Sequence, residues 1–232
     1  ITIEAGDKKL PVKVPGIGMN FDVAIGAKDP THGDVAVNAK LSDIKLVGAA
    51  DDLTGARMMS QLDPMKGMSI SNFLSEEGRV RDPQLVVPPG VNPASADIME
   101  QMKQSLTSMT PPLPHEPVGV GAKWRAITRS NTGVDALMYT TFTLKSRSGD
   151  ELELDTDIQQ LLASPEMTIK GAAGGSVRNF DSHGQGKSSV DLTKVAPSHA
   201  NATVDLQMGL DAAGESAAVH SHVIIGVGPT IK

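Results

Sequence analysis

The sequence predicts a mainly β protein, a curved antiparallel sheet or half-barrel built from two similar halves, with a few short helices. Three observations carry this. First, one pattern occurs twice. Leu10-Pro11, Gly16-Ile17-Gly18, Phe21 and Val23 recur as Leu113-Pro114, Gly119-Val120-Gly121, Trp124 and Ala126, at a constant offset (124 − 21 = 103). A repeat of this length is a half-domain, far longer than a solenoid unit. Second, the alternation of apolar residues keeps its phase across the offset, Val35 and Leu41 landing on Met138 and Leu144. A one-residue slip would turn every side chain to the wrong face. Third, only 3% of the residues are aromatic and 11 are Met, so the core rests on aliphatic side chains and on adaptable thioethers.

Element by element, residues 8–14 alternate and read as an edge strand, where Pro11 is tolerated. Residues 19–27 form a second strand. Asp29-Pro30-Thr31-His32-Gly33-Asp34 turns, and Val35 to Val47 forms a half-buried strand with room for a bulge. The second copy repeats this with a strand at 122–129, a turn at Ser130-Asn131-Thr132-Gly133 and alternation from Leu137 to Leu144. Glu151 to Asp155 then completes a hairpin. Short helices are expected at 52–62 (Leu53, Met58, Met59, Leu62) and at 156–163 (Ile158, Leu161, Leu162). Asn72-Phe73-Leu74-Ser75 matches Asn179-Phe180-Asp181-Ser182. Each precedes a glycine-bearing segment, Glu76-Glu77-Gly78 and His183-Gly184-Gln185-Gly186, so a hairpin is expected at both places.

Between the halves, Asn92-Pro93 starts a helix over 93–109 that Pro111-Pro112 stops. Ile98, Met102, Leu106 and Met109 fall on one face of it. Two further strands, 202–210 and 217–227, end the chain. The whole reads as one β-rich domain, 1–232, with copies at about 10–90 and 113–197.

Charge and composition exclude several function classes. Net charge is −6 with both signs scattered. No Lys/Arg cluster accompanies aromatic platforms, which argues against nucleic acid. No apolar run approaches the ~20 residues of a membrane-spanning helix. With no cysteine there is no disulfide, thiolate metal site or thiol nucleophile. The chain starts at Ile1, as a processed or a trimmed segment would.

Chemical motifs are few. Gly184-Gln185-Gly186-Lys187-Ser188 resembles the tail of a phosphate loop, but Asp181 stands where its first glycine belongs, so it reads as a hairpin turn. Asp181 to Leu192 lacks the closing Glu of a calcium loop. His220 and His222 lie two apart on one strand face and are the best-placed metal-ligand pair, yet no third ligand is identifiable. The acids Asp150, Glu151, Glu153, Asp155 and Asp157 read as one solvated sheet face. No nucleophile, base and orienting group come together, and no cofactor motif occurs, so the chain reads as non-enzymatic. The Met residues of the first half read either as ordinary gap-filling core or as a pliable apolar cleft, lined by Met58, Met59, Ile98, Met102, Leu106 and Met109.

The run Leu113-Pro114-His115-Glu116-Pro117-Val118-Gly119-Val120-Gly121-Ala122-Lys123-Trp124 resembles a signature of an uncharacterised family of exported bacterial proteins, many of them lipoproteins. The strand-turn-strand around Ser75-Glu76-Glu77-Gly78-Arg79-Val80 is similar to the end of that family's first half. The resemblance implies an extracytoplasmic β-rich protein and transfers no catalytic residue. A duplicated curved sheet with helices on its concave side also looks like the half-barrel carriers of lipids and lipoproteins. The expectation is therefore a periplasmic or cell-surface binding protein for a hydrophobic, lipid-like ligand. The alternative is a structural or assembly subunit whose exposed strands pair with a larger envelope complex.

Overall fold

The computed structural model describes residues 1–6, 8–48, 52–89, 91, 110–131, 134–167, 174–212 and 214–228. The protein is mainly antiparallel β, in curved sheets that do not close into a barrel. Its contacts group into two compact units, residues 13–115 and residues 1–12 with 116–231.

The unit of residues 13–115 holds four strands, β3 (Gly16–Lys28), β4 (Val35–Val47), β5 (Ser69–Leu74) and β6 (Val80–Val86), in sequence order. A helix, α1 (Asp52–Leu62), and a 3-10 turn (Asp63–Met65) lie between β4 and β5. Met58-Met59-Ser60-Gln61-Leu62 is good helix-forming sequence. Its end drops Leu62 and Met65 into a core with Leu41, Ile44 and Met68, against which Phe21, Leu46 and Leu85 pack. The β3–β4 register skips Ser42, whose hydroxyl donates to the Asn20 carbonyl at 3.2 Å, so β4 carries the expected bulge. The β5–β6 turn is the predicted Ser75–Arg79 hairpin. Gly78 has φ +74°, and a Cβ there would sit 3.0 Å from Thr110 and 3.2 Å from the Pro111 carbonyl. Both the backbone angle and the crossing chain therefore demand glycine.

The other unit is one nine-stranded sheet: β1 (Thr2–Ala5), β2 (Lys8–Pro11), β7 (Lys123–Asn131), β8 (Asp135–Ser148), β9 (Glu151–Leu162), β10 (Glu166–Met167), β11 (Gly175–Asp191), β12 (His199–Ala212) and β13 (Glu215–Val227). The order is β2-β1-β13-β12-β11-β9-β8-β7, with β10 paired to β11. The edge strand expected at 8–14 is β2, which reaches the sheet through β1 and β13.

Two expectations fail. Residues 156–163 are not helix. They continue β9 to Leu162, paired along Thr156, Ile158 and Gln160 with both β8 and β11. Ile158, Leu161 and Leu162 have helical spacing, but Leu152, Leu154, Thr156 and Ile158 also alternate, and ladders on both sides favour the strand. Nor is there a hairpin at His183-Gly184-Gln185-Gly186, which lies in the middle of the unbroken strand β11. Its glycines serve strand packing. A Cβ on Gly184 would stand 2.5 Å from the Thr203 carbonyl, and one on Gly186 2.6 Å from that of Asn201. The irregularity of β11 falls earlier, between Arg178 and Asp181, where Asn179 has φ +50°.

Candidate functional site

Directly paired residues share a sheet face, and faces alternate along each strand. Following the register from β7 to β13 therefore sorts the paired, described side chains of the six long strands. One face carries Trp124 and Ala126 from β7, then Met138, Thr140, Phe142 and Leu144 from β8. It continues with Leu152, Leu154, Thr156 and Ile158 from β9, and Ser182 to Val190 in steps of two from β11. Val204, Leu206, Met208 and Leu210 of β12 and Val219, Ser221, Val223 and Ile225 of β13 complete it. None of these side chains is ionisable, and the register adds two charged ones at strand ends, Arg147 opposite Leu152 and Glu215 opposite Ala212. The opposite face carries Arg125, Arg129, Glu153, Asp155, Asp157, Asp181, His183, Lys187 and Asp205.

Burial along the apolar face is uneven. Phe142, Leu144, Leu152, Leu154 and Val190 are buried. Trp124 stacks on Phe142 with ring centroids 5.8 Å apart and planes 24° from parallel, an offset arrangement that rings favour. Towards β13 the face opens: Val223 and Ile225 are 43% and 51% exposed, and Leu10 of β2 is 62% exposed. Of the hydroxyls in the buried stretch, Ser182 Oγ donates to Gln160 Oε1 at 3.1 Å. Ser188 Oγ is buried without a hydrogen-bond partner.

The polar features are turn staples and surface grooves. In the β3–β4 turn, Asp29 accepts from the Thr31 amide at 2.9 Å, lies 2.9 Å from His32 Nδ1, and takes an Arg81 hydrogen bond at 3.0 Å. The Thr31 amide, then His32 and Arg81, hold its carboxyl far below the usual range. After β11, Lys194 and then Thr193 hold the Asp191 carboxyl down to about 2. Arg129 grips Asp135 with two hydrogen bonds of 2.8 and 2.6 Å across the β7–β8 hairpin and lowers its pKa. One groove of about 560 Å³ is lined by Gly175, Ser176, Arg178, Asp211, Glu215 and Ser216. Another of about 550 Å³, on the polar sheet face, is lined by Asp157, Gln159, Asp181, His183, Gln185 and Asp205. Neither is apolar.

The residues singled out from the sequence are dispersed. Met58 and Met59 are half-buried on α1, in the four-stranded unit. Ile98, Met102, Leu106 and Met109, with the helix expected at 93–109, lie outside the described residues. Met65 and Met68 are at most 1% exposed and fill core space. His220 and His222 do share the polar face of β13. His222 Nδ1 is engaged by Asp205 at 2.7 Å, and among the described residues no three metal-ligating side chains come together. Glu153 accepts from Ser189 at 2.7 Å and Asp155 pairs with Lys145 at 3.4 Å, as a solvated face would.

The apolar face was missed as a site, although its signal was present. Ala202 to Leu210 alternates strictly, and Ser182, Gly184, Gly186 and Ser188 recur at every second position. Gly184 and Gly186 have the composition of a turn, yet both belong to this face. No helix among the described residues is long and apolar enough to cross a membrane. No protein-family model, curated protein or solved structure matches the chain.

Proposed function

We propose that the chain is an extracytoplasmic, non-enzymatic binding protein for a hydrophobic, lipid-like ligand, held on the apolar face of the nine-stranded sheet. The observation that carries this reading is the apolar face itself, buried around Leu144 and Leu154, open at Val223 and Ile225, and charged along the six long strands only at strand ends, at Arg147 and Glu215. Contiguous exposed apolar surface marks an interaction site more often than an accident of folding. Binding is driven by apolar area removed from water and involves no covalent step. Export rests on the likeness of the Leu113–Trp124 run to the envelope family, and fractionation of the source cells tests it. Solvent extraction and native mass spectrometry of the purified protein test the ligand. A co-purifying lipid, or uptake of a fluorescent fatty acid, is the expected result. Neither appearing would sink the reading.

A second reading is an assembly subunit. It is favoured by β3, a 13-residue edge strand on which Ile17, Val23 and Ile25 are 44%, 48% and 59% exposed. Long apolar edges invite pairing with another strand. A stable complex on native gels, lost in Val23→Lys, supports it.

A further inference from the structure

We propose that the middle of β11 seats a neutral, hydrogen-bonding group of an acyl lipid, an ester or a hydroxyl beside a long hydrocarbon chain, with the Ser188 hydroxyl as its polar contact. This rests on the carrier reading above and narrows it. Register places Ser182, Gly184, Gly186 and Ser188 on the apolar face between Leu154 to Gln160 of β9 and Ala200 to Leu206 of β12. The two glycines are forced by the close approach of β12, and they leave this stretch without bulky side chains. Its two serines differ. Ser182 is satisfied within the protein by Gln160. Ser188 is 8% exposed, and its Oγ has no partner.

Ser188 pairs with Leu154 on one side and Ala200 on the other, with Gly186 and Val190 next along its own face. None of these side chains has a polar atom. A trapped water needs two to four polar partners, and these neighbours supply only the one hydroxyl. A buried hydroxyl left unmatched is costly, so a partner brought by a ligand is favoured. That ligand group is neutral, because the side chains next to Ser188 supply no cation to match a carboxylate or phosphate, and Arg147, opposite Leu152 on the same face, gives its Nε hydrogen to the Gly149 carbonyl at 3.0 Å. From Gly186 the pairs run through Thr156 and Phe142 to Trp124. Three strand spacings, about 14 Å, thus give an alkyl chain an uncharged path to the aromatic stack.

Trp124 is the chain's single tryptophan, so bromine on a bound chain quenches a known site. The test titrates the protein with the glycerol monoester of 9,10-dibromostearic acid and, separately, with the free acid at pH 8. The monoester is expected to quench Trp124 and to bind at least tenfold more tightly than the free acid. Ser188→Ala is expected to weaken monoester binding about tenfold. Should that variant fail to fold, Ser188→Cys, nearly isosteric and a poor hydrogen-bonding group, is expected to show the same loss. Equal monoester affinity in the variant and the parent, or equal affinity for ester and acid, overturns the Ser188 assignment while leaving the carrier reading intact. No quenching by either lipid overturns both.

Discussion

The hairpins β3–β4 and β7–β8 begin from one sequence pattern and reach different environments. At an offset of 103, Phe21, Val23 and Leu41 correspond to Trp124, Ala126 and Leu144, and all six lie on the apolar faces of their sheets. Both long strands skip one residue at the same place, Ser42 against β3 and Lys145 against β9 (145 − 42 = 103). The registers differ, however. Phe21 faces Leu41, whereas Trp124 faces Phe142, two residues short of the equivalent position. An even slip preserves the face, so the apolar pattern tolerates it. The chain segments that succeed the two hairpins differ. Beyond β4 the chain turns into α1, and Leu62 and Met65 close over Leu41. Beyond β8 it continues as β9, and Leu144 pairs with Leu154 in the widening sheet. Similar hairpins have thus served a helix-capped core in one unit and a broad sheet face in the other.

The largest effect should come from the glycines peculiar to the broad sheet. Gly184→Val would place side-chain atoms against the Thr203 carbonyl and Val204. A loss of at least about 3 kcal/mol is expected in urea unfolding. Gly18→Ala, which meets only the Lys45 and Val47 side chains at 3.3 Å, should stay within about 1 kcal/mol of the parent. Next come Leu41→Ala and Leu144→Ala, at 0% and 3% exposure, each costing about 2–5 kcal/mol. Followed by Trp124 fluorescence and by far-UV circular dichroism, they also separate the units. Two transitions moved one at a time would mean independent unfolding, and one shared transition would mean coupling.

Within the four-stranded unit, Met65→Ala should cost about 2–5 kcal/mol and Met58→Ala under about 1 kcal/mol. Equal losses in thermal melts would mean that Met58 belongs to the core. The smallest effect is on acid stability. Asp29 and Asp191 have depressed folded-state pKa values. Their ionised forms stabilise the fold above the unfolded value of about 3.9. That contribution drains away as pH falls, over about 4 to 2 for Asp191 and further down for Asp29. Asp29→Asn and Asp191→Asn should each flatten the fall in urea midpoint between pH 5 and 2. An unchanged slope would remove these turns from the acid response.

Much of the fold was legible because much of it is local. Alternation identified β4, β8, β12 and β13, and Ser75-Glu76-Glu77-Gly78 identified a hairpin. Where two local codes overlapped, as at Ile158, Leu161 and Leu162, pairing with distant strands decided. The role of Gly184 and Gly186 was hidden for the same reason, since their constraint is the backbone of β12. The candidate site was legible only as alternation. Which stretch of the face is buried and which is open depends on strand order, and that order brings β1 to β13.

That last pairing has a kinetic consequence. Ile3 meets Val219 across more than two hundred residues of chain, whereas the four-stranded unit forms from one continuous stretch. Loop closure over such a distance is slow. During synthesis residues 13–115 can fold while the ribosome is still making β12. The first dozen residues must wait for nearly the last, so docking of the N-terminal ribbon is the natural final event in maturation.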